Sequence, residues 1–246
     1  MDRESSDARA LFLSAEWRDL VLLNYEVEPG LLTSRVPRGT ELDAFQGKTF
    51  VSLVGFRFLR TRLLGFLPVP FHTNFDEVNL RFYVRRHHPE GDRRGVVFIR
   101  EIVPKLAIAK VARWVYGENY SSHPMQHSLD ALQSGAKFEY RWRFRGQPCL
   151  LRAESSSTFR QPDDGSLEQF IAEHYWGYSV KPGRQSLEYR VAHPPWKVRD
   201  CQSARFEGDA SSLYGSEFSL ALSGPPDSAF IADGSVVHVF AGRALA

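Results

Sequence analysis

The sequence predicts a β-rich (α+β) protein whose mostly antiparallel sheet forms a cone or barrel-like shape, with two or three packed helices. Turn signals recur every ten to fifteen residues, which is typical of β-rich domains. Apolar and polar residues alternate along several segments, whereas stretches with helical periodicity are few. Because exposed sheet edges invite pairing with other chains, we expect the sheet to be closed or nearly so.

Length and composition are those of a folded globular protein. The chain has 246 residues, 43% of them hydrophobic, with 31 Lys+Arg against 29 Asp+Glu. We expect residues 1–246 to form one domain, with residues 1–12 as a disordered segment or an N-terminal arm. Nucleic-acid binding needs a concentrated basic patch, and the nearly balanced charge gives no basis for one. We therefore expect no nucleic-acid partner.

The cellular location is predicted from what the chain lacks. No run of apolar residues approaches the roughly 18 that a membrane-spanning helix needs, and residues 1–10 are charged and polar. The two cysteines, Cys149 and Cys201, cannot build a disulfide framework and suit a reducing compartment. We expect a cytoplasmic protein with no membrane partner.

The first strands are predicted by alternation in the N-terminal half. Residues 48–62 begin with alternating residues on one face, namely Phe50, Ser52, Val54, Phe56 and Phe58. Asn79–Arg85 alternates as well, and the apolar run Gly95–Ile99 follows it. The intervening His87–Arg94 is rich in charge and contains Pro and Gly, so we expect a hairpin.

The clearest strand is Lys137–Arg145. Its apolar face carries Phe138, Tyr140, Trp142 and Phe144, and its polar face carries Glu139, Arg141, Arg143 and Arg145. We expect a solvated arginine face neutralised by Glu139 and by Asp163 and Asp164. Further strands are predicted at Cys149–Glu154, Tyr178–Val180, Ser186–Ala192 and Ser235–Phe240.

Three helices are predicted. Residues recurring at three and four positions indicate an amphipathic helix over Lys105–Tyr116, after Pro104 and before Gly117. A capping box of Ser166 and Gln169 begins a second helix that runs toward Tyr175. A short helical turn is expected after Pro29.

Four segments carry a resemblance to a known family. They are Trp17–Tyr25, Phe75–Val84, Ala112–Gly117 followed by Tyr120, and His193–Trp196. Together they resemble the bacterial family called domain of unknown function 2071, over about Trp17 to Phe240. The resemblance implies the acetoacetate-decarboxylase-like fold, in which an antiparallel β-cone or barrel-like sheet encloses a cavity.

The resemblance also implies a departure from acetoacetate decarboxylase chemistry. Those enzymes carry a Gly-Arg-Glu-Leu segment followed by a lysine pair, one lysine of which forms a Schiff base. If Ala112–Val115 occupies the place of the first segment, the lysine pair falls near Tyr120–Ser121, where this chain has no lysine. Pro104–Lys105 resembles the lysine motif superficially, but it lies where the predicted helix begins, before Ala112–Val115, and has Leu106 where the second lysine belongs. We therefore expect no imine chemistry.

The strongest candidate ligand-binding residues are Glu77, Asn79 and Arg81. At a spacing of two they share one face of the predicted strand, opposite Val78, Leu80 and Phe82. If that face lines the inside of a closed sheet, Arg81 can anchor an anion with its forked guanidinium. If the face is exposed to solvent, the same residues form an ordinary surface ion pair of little consequence.

Three further candidates are Arg113, Tyr120 and His193. Arg113 and Tyr120 fix the polar end of a ligand if they line one cavity, whereas Arg113 otherwise pairs with a carboxylate such as Glu101 or Glu118. His193 has the ordinary pKa of a general base, but His193–Trp196 is also typical of a rigid structural plug.

We expect no metal and no cofactor. His123 and His127 are four residues apart, but Pro124 disfavours the helix that would bring them together. No glycine-rich nucleotide-binding motif occurs. The catalytic residues, if any, stay unknown.

Three functions remain open. The first is a cavity that binds an unknown small molecule, either a carboxylate or an apolar ligand, without Schiff-base lysine chemistry. The second is a non-imine enzyme acting on a keto acid or related compound, with Glu77 as acid or base, Arg81 and Arg113 as the anion clamp and Tyr120 as proton donor. The third is a structural scaffold that forms a homo-oligomer.

Overall fold

The computed structural model describes residues 9–68, 73–104, 119–132, 135–181, 183 and 185–245. The strands are β1 (Leu11–Val27), β2 (Glu41–Leu42), β3 (Thr49–Leu63), β4 (Leu67–Pro68), β5 (Phe75–Arg86), β6 (Arg93–Val103), β7 (Tyr120–Ser122), β8 (Met125–Leu132), β9 (Gly135–Phe144), β10 (Gln147–Ser155), β11 (Trp176–Val180), β12 (Ser186–Ala192), β13 (Val198–Asp200), β14 (Ser203–Glu207), β15 (Ser228–Phe240) and β16 (Arg243–Ala244). The helices are α1 (Gly30–Thr33), α2 (Leu167–Ala172), α3 (Ala210–Tyr214) and α4 (Ser219–Ser223), with a 3₁₀ turn at Ser216–Phe218. The predicted β-rich class is confirmed.

The main sheet closes on itself. Its hydrogen-bonded order runs β15-β1-β3-β5-β6-β11-β12, and β12 pairs back onto β15 through Val191↔Val239 and Ala192↔His238. The β6–β11 step of this ring is parallel and its other steps are antiparallel. Each strand of the ring therefore has a partner on both sides, which agrees with the predicted closure. The β6–β11 and β12–β15 steps are short, with two paired positions each.

A second sheet packs on the outside of the ring. It has four antiparallel strands in the order β14-β10-β9-β8. The aromatic face of β9, predicted from its alternation, is buried in a cluster with Leu23 of β1, Leu53 of β3 and Leu80 of β5. On the polar face, Arg141 and Arg143 are exposed, but Glu139 is buried and pairs with Arg141 and Arg152. The arginine face is thus solvated and Glu139 neutralises part of it, as predicted, but Glu139 itself is buried because the arginines shield it.

The other face of the ring sheet lines its interior. The alternating residues of β3 contribute Phe50, Val54, Phe56 and Phe58 to one interior cluster. On β5 the intervening Val78, Leu80 and Phe82 join the outer cluster instead, so the polar residues between them lie on the interior face. The period of two in the sequence therefore sets which side chains reach the inside of the ring.

Two of the predicted helices are confirmed, and two others were not predicted. The α2 helix begins as expected, since the Ser166 hydroxyl accepts a hydrogen bond from the Gln169 amide. The helical turn after Pro29 is α1. The predicted helix Lys105–Tyr116 lies outside the described residues. Both α3 and α4 have only five residues, too few for periodicity to reveal. Within the described ranges, no helix is both long and apolar enough to cross a membrane.

Candidate functional site

The interior of the ring contains a cavity of about 200 Å³. Most of its wall is apolar, and its aromatic lining includes Trp17, Phe56, Phe58, Phe75, Phe98 and Trp196. The rings of Phe58 and Phe75 stack at 4.5 Å between centroids, and Trp17 contacts Phe56 edge-on at 5.2 Å. A volume of this size is far above the roughly 15 Å³ that one water molecule needs.

A row of polar side chains on β5 lines part of the same cavity. Glu77, Asn79 and Arg81 are 2%, 1% and 8% exposed. The Asn79 amide nitrogen donates to Glu77 Oε1 at 2.9 Å. Since a carboxylate only accepts, this bond fixes the amide orientation, and Asn79 Oδ1 is left as a buried acceptor without a hydrogen-bond partner among the described residues.

A second buried carboxylate lies on the neighbouring strand. Glu101 of β6 pairs in register with Asn79, and Tyr120 of β7 pairs with Glu101. Both side chains line the cavity, and Glu101 is 1% exposed. From sequence, Glu101 is predicted only as an ion-pair partner of Arg113, because the predicted apolar run ends at Ile99.

The Arg81 guanidinium is held loosely by the described part of the chain. Among the described residues it makes a long hydrogen bond from Nη2 to the Ile171 carbonyl at 3.5 Å, and its Cζ lies 5.8 Å from the centroid of the Tyr83 ring. The buried Nε has no hydrogen-bond partner among the described residues. A buried cation with spare donors is suited to receive an anion.

An aspartate–histidine pair adjoins Arg81. His174 follows α2 and lines the cavity, and its Nε2 lies 3.3 Å from Asp43 Oδ2, which also accepts from Arg94 Nε at 2.7 Å. The His174 ring packs 4.6 Å from the Tyr83 ring. Burial raises the pKa of Asp43, but the hydrogen bonds from His174 and Arg94 outweigh it and leave that pKa below its usual value.

His174 is neutral at neutral pH. Burial lowers its pKa to about 4, although the hydrogen bond to Asp43 opposes the shift. Because the Asp43 carboxylate can only accept, the proton is on Nε2 and the lone pair is on Nδ1. That Nδ1 is buried and has no hydrogen-bond partner in the described part of the chain. Nothing in the local sequence pattern marked His174 or Asp43 as site residues.

His193 also lines the cavity, in a rigid setting. Its ring stacks on Trp196 at 4.1 Å between centroids, and its Nδ1 donates to the Pro194 carbonyl at 2.9 Å. Burial, reinforced by the charge of Arg81, lowers its pKa to about 4. The Trp196 indole donates to the Ser235 hydroxyl at 2.8 Å. The packing agrees with the structural interpretation of this segment, while the ring remains exposed to the cavity.

The structure therefore brings five of the six sequence candidates to one cavity. These are Glu77, Asn79, Arg81, Tyr120 and His193. Arg113 lies outside the described residues, as do Lys105 and Lys110. None of the four described lysines, at positions 48, 137, 181 and 197, lines the cavity.

Solved structures with this architecture define the fold class as acetoacetate-decarboxylase-like. Acetoacetate decarboxylase from Legionella pneumophila subsp. pneumophila str. Philadelphia 1 is similar with a TM-score of 0.66 and 15% identity, covering 96% of this chain and 88% of that one. An acetoacetate decarboxylase-like enzyme from Sphingomonas wittichii RW1 gives 0.65 at 14% identity, covering 100% and 98%. The enduracididine biosynthesis enzyme MppR complexed with pyruvate gives 0.65 at 15% identity, covering 99% and 93%.

Within that fold class the chain belongs to the family DUF2071, described as an uncharacterized conserved protein, whose model matches residues 14–236. The uncharacterized protein YqjF of Bacillus subtilis (strain 168) is 31% identical over 192 residues, which are 76% of this chain and 75% of that protein. The family predicted from the four sequence segments is thereby confirmed.

Proposed function

We propose that this protein binds a small carboxylic acid with an apolar tail inside the ring. The observation that carries the proposal is the buried guanidinium of Arg81, which keeps spare donors in a cavity whose wall is mostly apolar. Burying a cation is costly unless an anion or several acceptors compensate it. A carboxylate matches the planar fork of the guanidinium better than other small anionic groups with a single acceptor.

The aromatic wall supports an apolar tail on the same ligand. Trp17, Phe58 and Phe75 line the cavity and pack on one another. Contact between a ligand tail and these rings would remove apolar surface from water. Pockets for small ligands combine such a lining with a few placed polar groups. An acid of the size of 3-phenylpropanoate provides both halves.

Replacing Arg81 by methionine is expected to weaken 3-phenylpropanoate binding by about tenfold to a hundredfold, because a charge-assisted hydrogen bond contributes about 1.5–3 kcal/mol. Isothermal titration calorimetry measures the effect. The matched control is Arg85→Met on the same strand, whose exposed side chain pairs with Glu41 away from the cavity. Equal affinity in wild type and Arg81→Met, or no binding by wild type, contradicts the proposal.

A second candidate is an enzyme that acts on a keto acid without an imine. It is favoured by the buried carboxylates Glu77 and Glu101 and the neutral His174, which line the cavity with Arg81 and can exchange protons with a ligand. MppR, a neighbour in fold, was solved with pyruvate bound, which supports a keto acid as a probe.

Incubation with acetoacetate and sodium borohydride separates imine from non-imine chemistry. We expect no reduced lysine adduct in intact-mass and peptide spectra, because no described lysine lines the cavity. Carbon dioxide release without an adduct would favour the second candidate over simple binding. An adduct at Lys105 or Lys110, removed by the corresponding Lys→Ala variant, would overturn the non-imine proposal.

We further propose that the chain forms one domain, lies in the cytoplasm, has no nucleic-acid or membrane partner and can form a homo-oligomer. Cys149 is buried and Cys201 half-buried, and both are free thiols, which supports a reducing compartment. Light scattering during size-exclusion chromatography measures the oligomeric state.

A further inference from the structure

The hydrogen-bonding groups beside Arg81 indicate that the ligand carries a hydrogen-bond donor in addition to its carboxylate. A carboxylate has only acceptors, so it satisfies the donors of Arg81 and nothing else. Two buried acceptors line the same cavity without a hydrogen-bond partner among the described residues, Asn79 Oδ1 and His174 Nδ1. Leaving such acceptors without a donor is unfavourable, so a ligand that fits this site carries a donor next to its acid group.

His174 is the acceptor best placed to select that donor. Its ring and the Arg81 guanidinium both contact the Tyr83 ring, at 4.6 Å and 5.8 Å. Arg81 also donates to the carbonyl of Ile171, in the last turn of the helix that His174 follows. His174 lines the cavity and Asp43 does not, so the imidazole is the part of this pair that a ligand reaches.

We propose that the ligand is an α-hydroxy acid, whose hydroxyl group donates a hydrogen bond to His174 Nδ1 while its carboxylate pairs with Arg81. This inference rests on the proposed function, since it presumes the acid site at Arg81. The α-hydroxyl lies on the carbon next to the carboxylate. Such a ligand therefore requires its two partners to be neighbours, and the contacts of both His174 and Arg81 with the Tyr83 ring support this.

The hydrogen bond to Asp43 determines which ring nitrogen of His174 is the acceptor and how the ring is oriented. The bond from Nε2 to Asp43 Oδ2 holds the tautomer, and Arg94 holds the carboxylate in turn. Burial keeps the pKa of His174 near 4, so the Nδ1 lone pair is present at neutral pH. The charged and titratable groups around the ring are Asp43, Arg94, Arg81 and Tyr83. His174 is thus a specificity-determining residue that recognises the α-hydroxyl group of the ligand.

Two probes that differ in a single hydroxyl group test the inference. Calorimetry compares 3-phenyllactate with 3-phenylpropanoate, and we expect wild type to bind the hydroxy acid about tenfold more tightly. In His174→Gln the amide can keep a bond to Asp43 but has no acceptor at the Nδ1 position, so the preference is expected to fall to about twofold or less. His238→Gln, on the exposed face of β15, is the matched control and should keep the tenfold preference.

Nitrogen NMR of histidine-labelled wild type gives a readout that does not depend on how the variant folds. The Nδ1 resonance of His174 is expected to shift on addition of 3-phenyllactate and to stay in place with 3-phenylpropanoate. Equal binding of both acids with no such shift overturns the hydroxy-acid inference and leaves the acid site standing. If neither acid binds, the proposed function and this inference fail together.

Discussion

Replacing Glu188 by glutamine is expected to lower the free energy of unfolding by about 3–5 kcal/mol, the usual cost of breaking a buried ion pair. The Glu188 side chain is 2% exposed and receives Arg9 and Arg93 at 2.6 Å each on Oε2. On Oε1 it accepts from Arg86 at 3.0 Å and from the Tyr178 hydroxyl at 3.1 Å. Loss of the carboxylate charge removes this contact from the Arg9 side chain, which is also 2% exposed, and from Arg93 and Arg86.

Urea denaturation followed by tryptophan fluorescence measures this loss. The matched control is Glu41→Gln, which removes a carboxylate paired with Arg85 at 2.6 Å but 49% exposed. Exposed ion pairs contribute about 1 kcal/mol or less, so the control should lose no more than that. Losses of equal size in the two variants would contradict a special role for the Glu188 cluster.

The same cluster predicts a pH dependence of stability. Burial raises the pKa of Glu188, but the hydrogen bond from Arg9 and the charges of Arg93 and Arg86 outweigh it, so the net pKa lies below the usual value. A carboxyl group whose pKa is depressed by folding contributes its full stability above the unfolded pKa of about 4.3. That contribution is lost as the pH falls through the folded pKa. The stability difference between wild type and Glu188→Gln should therefore shrink below about pH 4.

Replacing Gly234 by alanine is expected to destabilise the protein by about 2–4 kcal/mol, from backbone strain and overpacking together. Gly234 lies opposite Arg18 where β15 pairs with β1, and its φ of +71° favours glycine. A Cβ atom there would lie 2.0 Å from the Trp17 carbonyl oxygen and 2.6 Å from Leu20 Cδ1. The backbone of Trp17 must move, and with it an aromatic wall of the cavity.

Thermal and urea unfolding of Gly234→Ala measure the loss, and calorimetry with 3-phenylpropanoate tests whether the displaced Trp17 also weakens binding. Gly224→Ala is the matched control, because its φ is −93° and a Cβ there would meet nothing within 4 Å. A surface substitution of that kind changes stability by about 0.5 kcal/mol or less. If Gly234→Ala behaves like the control, the tight approach of β15 to Trp17 does not constrain the fold.

Local periodicity was enough to predict much of the wall of the cavity. Alternation along β5 separated Glu77, Asn79 and Arg81 from the apolar residues between them, and the structure keeps that separation. The rule works because successive side chains of a strand point to opposite faces, whatever the strand pairs with. The capping box at Ser166 could also be predicted from sequence, because Ser166 and Gln169 lie within one helical turn.

The rest of the site, and the buried ion pair of Glu188 outside it, depend on contacts that no local pattern contains. Asp43 and His174 are 131 positions apart, and Arg9 and Glu188 are 179 apart. Asp43 lies between two strands, and His174 follows a six-residue helix, so neither belongs to a periodic segment. Only the tertiary structure brings such residues together. Their roles therefore cannot be predicted from local sequence patterns.

The pairing of β1 with β15 has a consequence for synthesis of the protein. Leu11 pairs with Phe240, and the Ala241 amide donates to the Ala10 carbonyl at 2.8 Å, so the ring is completed by strands from opposite ends of the described chain. During translation β15 leaves the ribosome long after β1, so β1 has no partner on that side until β15 has been synthesised. Contacts of such long range slow folding. Until then the edge of β1 that faces β15 carries unpaired backbone hydrogen-bonding groups, and such an edge favours pairing with other chains.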